Sequence, residues 1–305
     1  MRFALYVFLS SLFYQGLFAQ SDTNTVNRQR RNGLIVTGSV VYAGTMLGLN
    51  ELWYKQYPRS SFHFFNDNLE WLQIDKAGHV HSAYFESVWS INSFKWAGIS
   101  SKKSALLGAG VGFLYQSTIE LLDGFSVKWG ASSGDIISNA IGSAMAASQE
   151  LAWQEQRIYV KYSFHPVSYS DDQLNERAKN LYGSSLTETF LKDYNGQTYW
   201  LSLNLAPFFK NAELPDWLNL ALGYSADGMF GGFKNHWVEN GVEIIRDDIP
   251  RIRQYYLSLD INLAKLETKS RFIKTLLSLL NHVKVPFTTL SFDSKNGLQL
   301  HPIYF

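Results

Sequence analysis

The chain has 305 residues, with 27 Lys and Arg against 26 Asp and Glu, a formal net charge of +1, and 17% charged residues. That balance gives no basic field, which argues against nucleic acid as a partner. The absence of any Cys excludes disulfides, thiolate metal sites and a cysteine nucleophile.

Residues 1–19 read as a secretory signal: Arg2 supplies a positive start, Phe3 to Phe13 an apolar run, and Leu17-Phe18-Ala19 a cleavage site before Gln20. The run is short for a membrane span of about 20 residues, so export is favoured over an uncleaved anchor. Residues 20–32, with Arg28, Arg30 and Arg31, read as a solvated leader. Residues 33–53 are apolar and carry Gly44-x-x-x-Gly48. The segment is nearly long enough to cross a bilayer, it also fits a buried central helix, and its glycines favour close helix contact. Residues 54–68, with Pro58, three Phe and His63, suggest a loop or short amphipathic piece, His63 being a surface or interface residue.

A second helix is expected over 68–96 and a third over 102–122, capped by Ser100 and Ser101 and carrying Gly108-x-x-x-Gly112. After a loop at 124–134, Ser132 or Ser133 caps a fourth helix over 135–154. Its stripe of Ala140, Gly142, Ala144 and Ala146 must lie against another helix.

From residue 157 the apolar period changes to two. Alternation over 158–164, 199–208, 217–224, 255–263 and 287–292 predicts five or six antiparallel strands. Helical inserts are expected at 171–192 and at 269–282, where Phe272, Ile273, Leu276, Leu277 and Leu280 form a stripe. The end, residues 298–305, resembles the closing strand of an outer-membrane barrel, and Pro302 suits an edge strand. The strand count falls short of the smallest bacterial barrel, about eight. The stretch 223–232 reads as a hairpin or surface loop and lacks the Lys of a phosphate loop, while Asn240-Gly241 is a turn signal.

The expected class is therefore α+β: a bundle of about four apolar helices over 33–156, then an antiparallel β region over 157–305 with two helical inserts. A partial or irregular outer-membrane-type barrel is the alternative. The aromatic content of 15% fits a membrane interface or a glycan as well as an aromatic core.

Three polar clusters interrupt the helical region: Asp75-Lys76-Ala77-Gly78-His79, Glu120-Leu121-Leu122-Asp123, and Ser132-Ser133-Gly134-Asp135 with Asn139 and Gly142. Spacings of three, four and seven put each cluster on one helix face. Charges on apolar helices are costly to bury unpartnered. They fit either a structural network, with Lys76 neutralising a carboxylate and Asn139 satisfying helix ends, or a pocket in which His79 and a carboxylate do acid and base work. His79 and Glu86 share a face, whereas His81 points elsewhere. Acids at a helix C-terminus, Glu120 and Asp123, oppose the helix dipole, whereas Asp135 in a first turn is favoured by it. The candidate catalytic residues are His79, Asp75, Lys76 and Glu120, and the candidate binding residues are Asp123, Asp135 and Asn139. Imidazole with carboxylates suits several divalent ions, but the spacing matches no tight metal motif, so no metal and no cofactor is assigned. Ser132 and Ser133 are explained as caps, which leaves serine catalysis little support.

Asp75-Lys76-x-x-His79, then Glu120, then Asp135-x-x-x-Asn139-x-x-Gly142, resembles the pattern of VanZ-like and YfiM-like envelope proteins. The wider chain is similar to long Bacteroidetes-type members of an uncharacterised family described as predicted periplasmic lipoproteins, DUF2279. The VanZ-type pattern covers about 70 of the 305 residues. Without Cys this chain offers no attachment point for a lipoprotein anchor, and Ile119 stands where YfiM-like sequences tend to carry Lys. The resemblance implies an envelope location and about four packed helices, and it names no reaction.

Two functions follow as expectations. The first is a membrane-associated envelope protein, at the outer membrane or its periplasmic face, that binds a lipid or glycan headgroup or an envelope protein. The second is a hydrolase or transferase acting on an envelope lipid or glycan, with His79 as general base oriented by Asp75 or Glu120, and Lys76 stabilising negative charge.

Overall fold

A computed structural model describes residues 26–55 and 57–305; the signal at 1–19 and the start of the leader lie outside the described residues. The chain forms two compact units. The first holds the chain up to Asp67 with His79–Gln156 and Glu267–Leu279; the second holds Asn68–Gly78, Arg157–Leu266 and Leu280–Phe305. Helices followed by an antiparallel sheet with helical inserts, the class read from the sequence, is the class observed.

The first unit is built on α1 (Arg28–Leu49), α2 (Ile74–Trp96, from His79 onward), α3 (Ser101–Asp123) and α4 (Ser133–Trp153). The expected leader is cut short: Asn27 caps α1 by accepting the Arg30 amide at 3.0 Å, so Arg28, Arg30 and Arg31 are helical. No residue of α1 is buried. The expected close glycine contact fails at Gly48, which has nothing within 4 Å of a side-chain position. Side-chain tips hold α1 instead. Arg30 lies 4.8 Å over the Trp96 ring, and Tyr42 donates to Thr118 Oγ1 at 2.9 Å while meeting Tyr115 edge-on at 5.4 Å.

The other glycines do bring backbones together. A Cβ on Gly112 of α3 would stand 2.6 Å from the Ala83 carbonyl of α2, and one on Gly142 of α4 would stand 2.2 Å from the Val80 carbonyl. Both α3 and α4 thus touch α2 along its backbone, which only missing side chains permit. Ser132 is the N-cap of α4 and accepts the Asp135 amide at 3.1 Å. The cap expected for α3 is corrected: Ser100 makes no side-chain cap bond, and Ser101 donates to Glu150 instead.

Helix α2 begins later than residue 68 because Trp71, Leu72 and Gln73 adopt positive φ of 49°, 49° and 66°. Side chains rarely tolerate that region. Within the second unit the turn is fixed by the Trp71 amide on the Gly232 carbonyl at 2.8 Å and by Arg253 on Gln73 Oε1 at 2.6 Å.

The second unit carries β1 (Ile158–Phe164), α5 (Asp172–Tyr182), α6 (Leu186–Lys192), β2 (Gln197–Asn204), β3 (Leu218–Asp227), β4 (His236–Glu239), β5 (Val242–Ile245), β6 (Ile252–Ile261), β7 (Phe287–Asp293) and β8 (Gly297–Tyr304). Helix α7 (Arg271–Leu280), which up to Leu279 belongs to the first unit, precedes β7 in the chain. The main sheet runs β1-β2-β3-β6-β7-β8, antiparallel throughout, and β4-β5 form a separate hairpin turned by Asn240-Gly241, both at positive φ. The sheet does not close into a barrel: β1 and β8 end it, and Pro302 sits on the edge strand as expected. The edge of β1 is met by the His282–Lys284 segment, through Tyr162 N on the His282 carbonyl and Lys284 N on the Tyr162 carbonyl, each at 2.9 Å. The stretch after β3 is not a surface loop, since Met229 and Phe230 are fully buried.

One face of this sheet is buried and combines the Trp200, Ala221 and Tyr256 cluster with polar groups. Lys161 and Asp260 pair on it at 2.7 Å, both at 0% exposure, with Ser202, Thr198 and Thr289 also buried. On the other face Leu201, Leu222, Leu257 and Leu290 are exposed.

Candidate functional site

The first unit brings three of the sequence's polar clusters to one point. Helix α2 supplies His79, the last turn of α3 supplies Glu120, and the first two turns of α4 supply Asp135 and Asn139. The glycine contacts that draw α3 and α4 onto α2 are what bring these side chains together. His79 Nδ1 lies 3.0 Å from Asn139 Oδ1. The amide oxygen can only accept, so His79 carries its proton on Nδ1 and the Nε2 side of the ring is turned to two acids. Glu120 Oε1 lies 3.6 Å and Asp135 Oδ1 3.7 Å from Nε2.

These groups are nearly closed off from water. Glu120, Asp135 and Asn139 are buried, and the His79 side chain keeps 15% exposure. Burial raises the Glu120 carboxyl to about 8; the charge of Asp135 adds to that, while His79 and the Ser132 amide, 3.0 Å from Oε2, oppose it. One imidazole cannot balance two ionised acids at once, so Glu120 holds a proton near neutral pH. The site therefore offers a carboxylic acid, a carboxylate and an oriented imidazole within a few ångströms, a set that accepts from hydroxyl or ammonium donors and can move a proton.

Asp75 and Lys76 belong to the second unit, where Asp75 accepts the Tyr194 hydroxyl at 2.8 Å and stands 3.4 Å from Lys76 Nζ. Asp123 accepts the Tyr54 hydroxyl at 2.8 Å. His63 bonds the Trp129 carbonyl through Nε2 at 2.7 Å, which ties the 57–65 segment to the loop before α4.

Two further features belong to this region of the sequence. Glu86, burial of which raises its carboxyl to about 8, accepts from Gln116 at 2.7 Å. Its position seven residues after His79 was the available signal. Residues 130–134 also spell Gly-Ala-Ser-Ser-Gly, a literal Gly-x-Ser-x-Gly string. The structure assigns its central Ser132 to capping: the hydroxyl accepts from Asp135 N, donates to Asp67 at 2.5 Å, and is 1% exposed.

Among the described residues, two helices, α1 and α3, are long and apolar enough to cross a membrane. Residues 63–150 match the model of a family described as predicted periplasmic lipoprotein (DUF2279), a description that belongs to the cell envelope. The matched segment contains His79, Glu120, Asp135 and Asn139. No curated protein and no solved structure matches the chain.

Proposed function

We propose that this chain is a membrane-associated envelope protein, held at the outer membrane or its periplasmic face, that binds the polar headgroup of an envelope lipid or glycan. The observation that carries this reading is the convergence of His79 Nε2 on Glu120 and Asp135, with the ring fixed by Asn139. Three helices gather an imidazole, two carboxyl groups and an amide there with little exposure, a set suited to recognising a hydroxyl- or ammonium-bearing headgroup. The exposed apolar residues of the same unit, among them Val36, Val40, Leu106 and Leu114, support association with a membrane. An envelope protein is the other partner such a surface accepts.

A second reading has its own observation. With Nδ1 anchored on Asn139, Nε2 is the reactive nitrogen, as in a general base oriented by its neighbour. A hydrolase or transferase of envelope lipids or glycans would use His79 in that role. Comparing His79→Ala and Glu120→Gln in binding and turnover assays on envelope lipid and glycan fractions separates the two. Loss of binding with no turnover in the parent protein supports the binding reading, and parent turnover abolished by His79→Ala overturns it.

A further inference from the structure

The sheet of the second unit exposes much of one apolar face, and its cross-strand rows define it. Register places Tyr162, Tyr199, Tyr224, Tyr255, Phe292 and Leu298 in one continuous row from β1 to β8. Two residues along, the row is Val160, Leu201, Leu222, Leu257, Leu290 and Leu300. A third row holds Ile158, Leu203, Leu220 and Leu259, and a fourth pairs Leu218 with Ile261. Not one of these side chains is charged, and from β2 to β8 the Leu row is exposed, reaching 51% at Leu222 and 65% at Leu300. The alternate rows point to the other face. They include Ser202, Ser258 and Thr289, the fully buried Lys161 and Asp260, and the buried cluster of Trp200, Ala221 and Tyr256.

A sheet that lives in water hides its apolar face and shows its polar one. Here the outward Leu row is exposed and is bordered by the exposed Tyr255 and Phe292, as in a sheet in contact with lipid, whereas Tyr162, Tyr199 and Tyr224 of the same row pack within the unit. The border is completed by Arg253, the next outward position on β6 beyond Tyr255. From the Tyr255 row to Ile261 the apolar band runs six residues along the strand, about 20 Å at about 3.3 Å per residue. That is shorter than the roughly 25 Å band of a spanning barrel.

We propose that the outward face of the six-stranded sheet, centred on Leu222, Leu257 and Leu290, is a membrane-docking surface that lies against acyl chains. The inference extends the membrane association proposed above and is independent of the His79 centre. Lipid is favoured over a second protein copy by the completeness of the band. It carries no charged or amide group to set register, whereas specific protein interfaces carry about one hydrogen bond per 100–200 Å².

The absence of native Cys makes the test clean. Single replacements Leu222→Cys, Leu257→Cys and Leu290→Cys in the full chain are labelled with an environment-sensitive fluorophore. They are mixed with uncharged phosphatidylcholine vesicles containing mid-chain doxyl lipid. Glu243→Cys, on the exposed hairpin, is the control. The proposal expects at least twofold quenching at the three Leu positions, none at Glu243→Cys, no reversal by 1 M NaCl, and the same result in a His79→Ala background. It is overturned if the three labels are not quenched, if Glu243→Cys is quenched equally, or if the labels respond to protein concentration rather than to lipid. That last result identifies a second copy as the occupant. Quenching that persists in His79→Ala while headgroup binding is lost separates this surface from the polar centre.

Discussion

Asn139 holds His79 by Nδ1 at 3.0 Å, across 60 residues of sequence, and so decides which ring nitrogen meets the acids. Replacing Asn139 by Ala removes that acceptor. In 15N NMR of the imidazole, the parent protein is expected to show the Nδ1–H tautomer, and Asn139→Ala a mixture shifted toward Nε2–H. An unchanged tautomer would mean that another group fixes the ring.

The Glu120 carboxyl gives a stability signature in pH. Its folded value, about 8, lies above the ordinary 4.5, so the folded state binds more protons than the unfolded state between these limits. Stability is then fully present below about 4.5 and is lost as pH rises toward 8, with a slope of at most about 1.4 kcal/mol per pH unit for one group. Glu86 contributes with the same sign. Denaturant titrations from pH 6.5 to 8, above the raised value of about 6 at Asp193 and the ordinary value of His165, should show falling stability, and Glu120→Gln should remove about half of the slope. A flat profile in the parent protein would contradict the assignment.

Gly142 tests the packing that assembles the centre. Its Cβ position lies 2.2 Å from the Val80 carbonyl, so Gly142→Ala must push α4 off α2. The expected cost is about 1–3 kcal/mol in a denaturation midpoint, as for other overpacked cores. Gly48→Ala, where nothing lies within 4 Å, should be neutral or slightly stabilising.

The buried pair in the sheet should behave asymmetrically. Lys161→Ala leaves Asp260 charged in a closed interior and should cost about 3–5 kcal/mol in thermal unfolding, whereas replacing both by apolar residues of similar size should cost much less. Equal losses would show that Lys161 acts mainly through its bonds to the Ile261 carbonyl and Asn281.

Much of this was legible in the sequence because periodicity reports burial directly. The switch from helical spacing to alternation after residue 157 marked the sheet, and Glu120, Asp135 and Asn139 were picked out as polar positions on apolar helices. The sense of the alternation was not legible: Leu222 and Leu257 would read identically facing a core or a membrane, and only their exposure separates the two. The start of α2 was missed because Trp71 to Gln73 take left-handed backbone that contacts distant in sequence hold in place. Asp123, three residues after Glu120 on the same expected face, went to Tyr54 because the π-helical turn after α1, Asn50–Tyr54, brings that hydroxyl to it. No local pattern announces such a turn.

The most direct test of the central claim is mass spectrometry of what co-purifies with the full chain from envelope membranes, for the parent protein and for folded His79→Ala and Glu120→Gln variants. The account predicts an intact envelope lipid or glycan fragment on the parent protein, reduced at least tenfold on both variants. The same molecules in equal amount on all three proteins, or none on any, would contradict a binding role for the His79 centre.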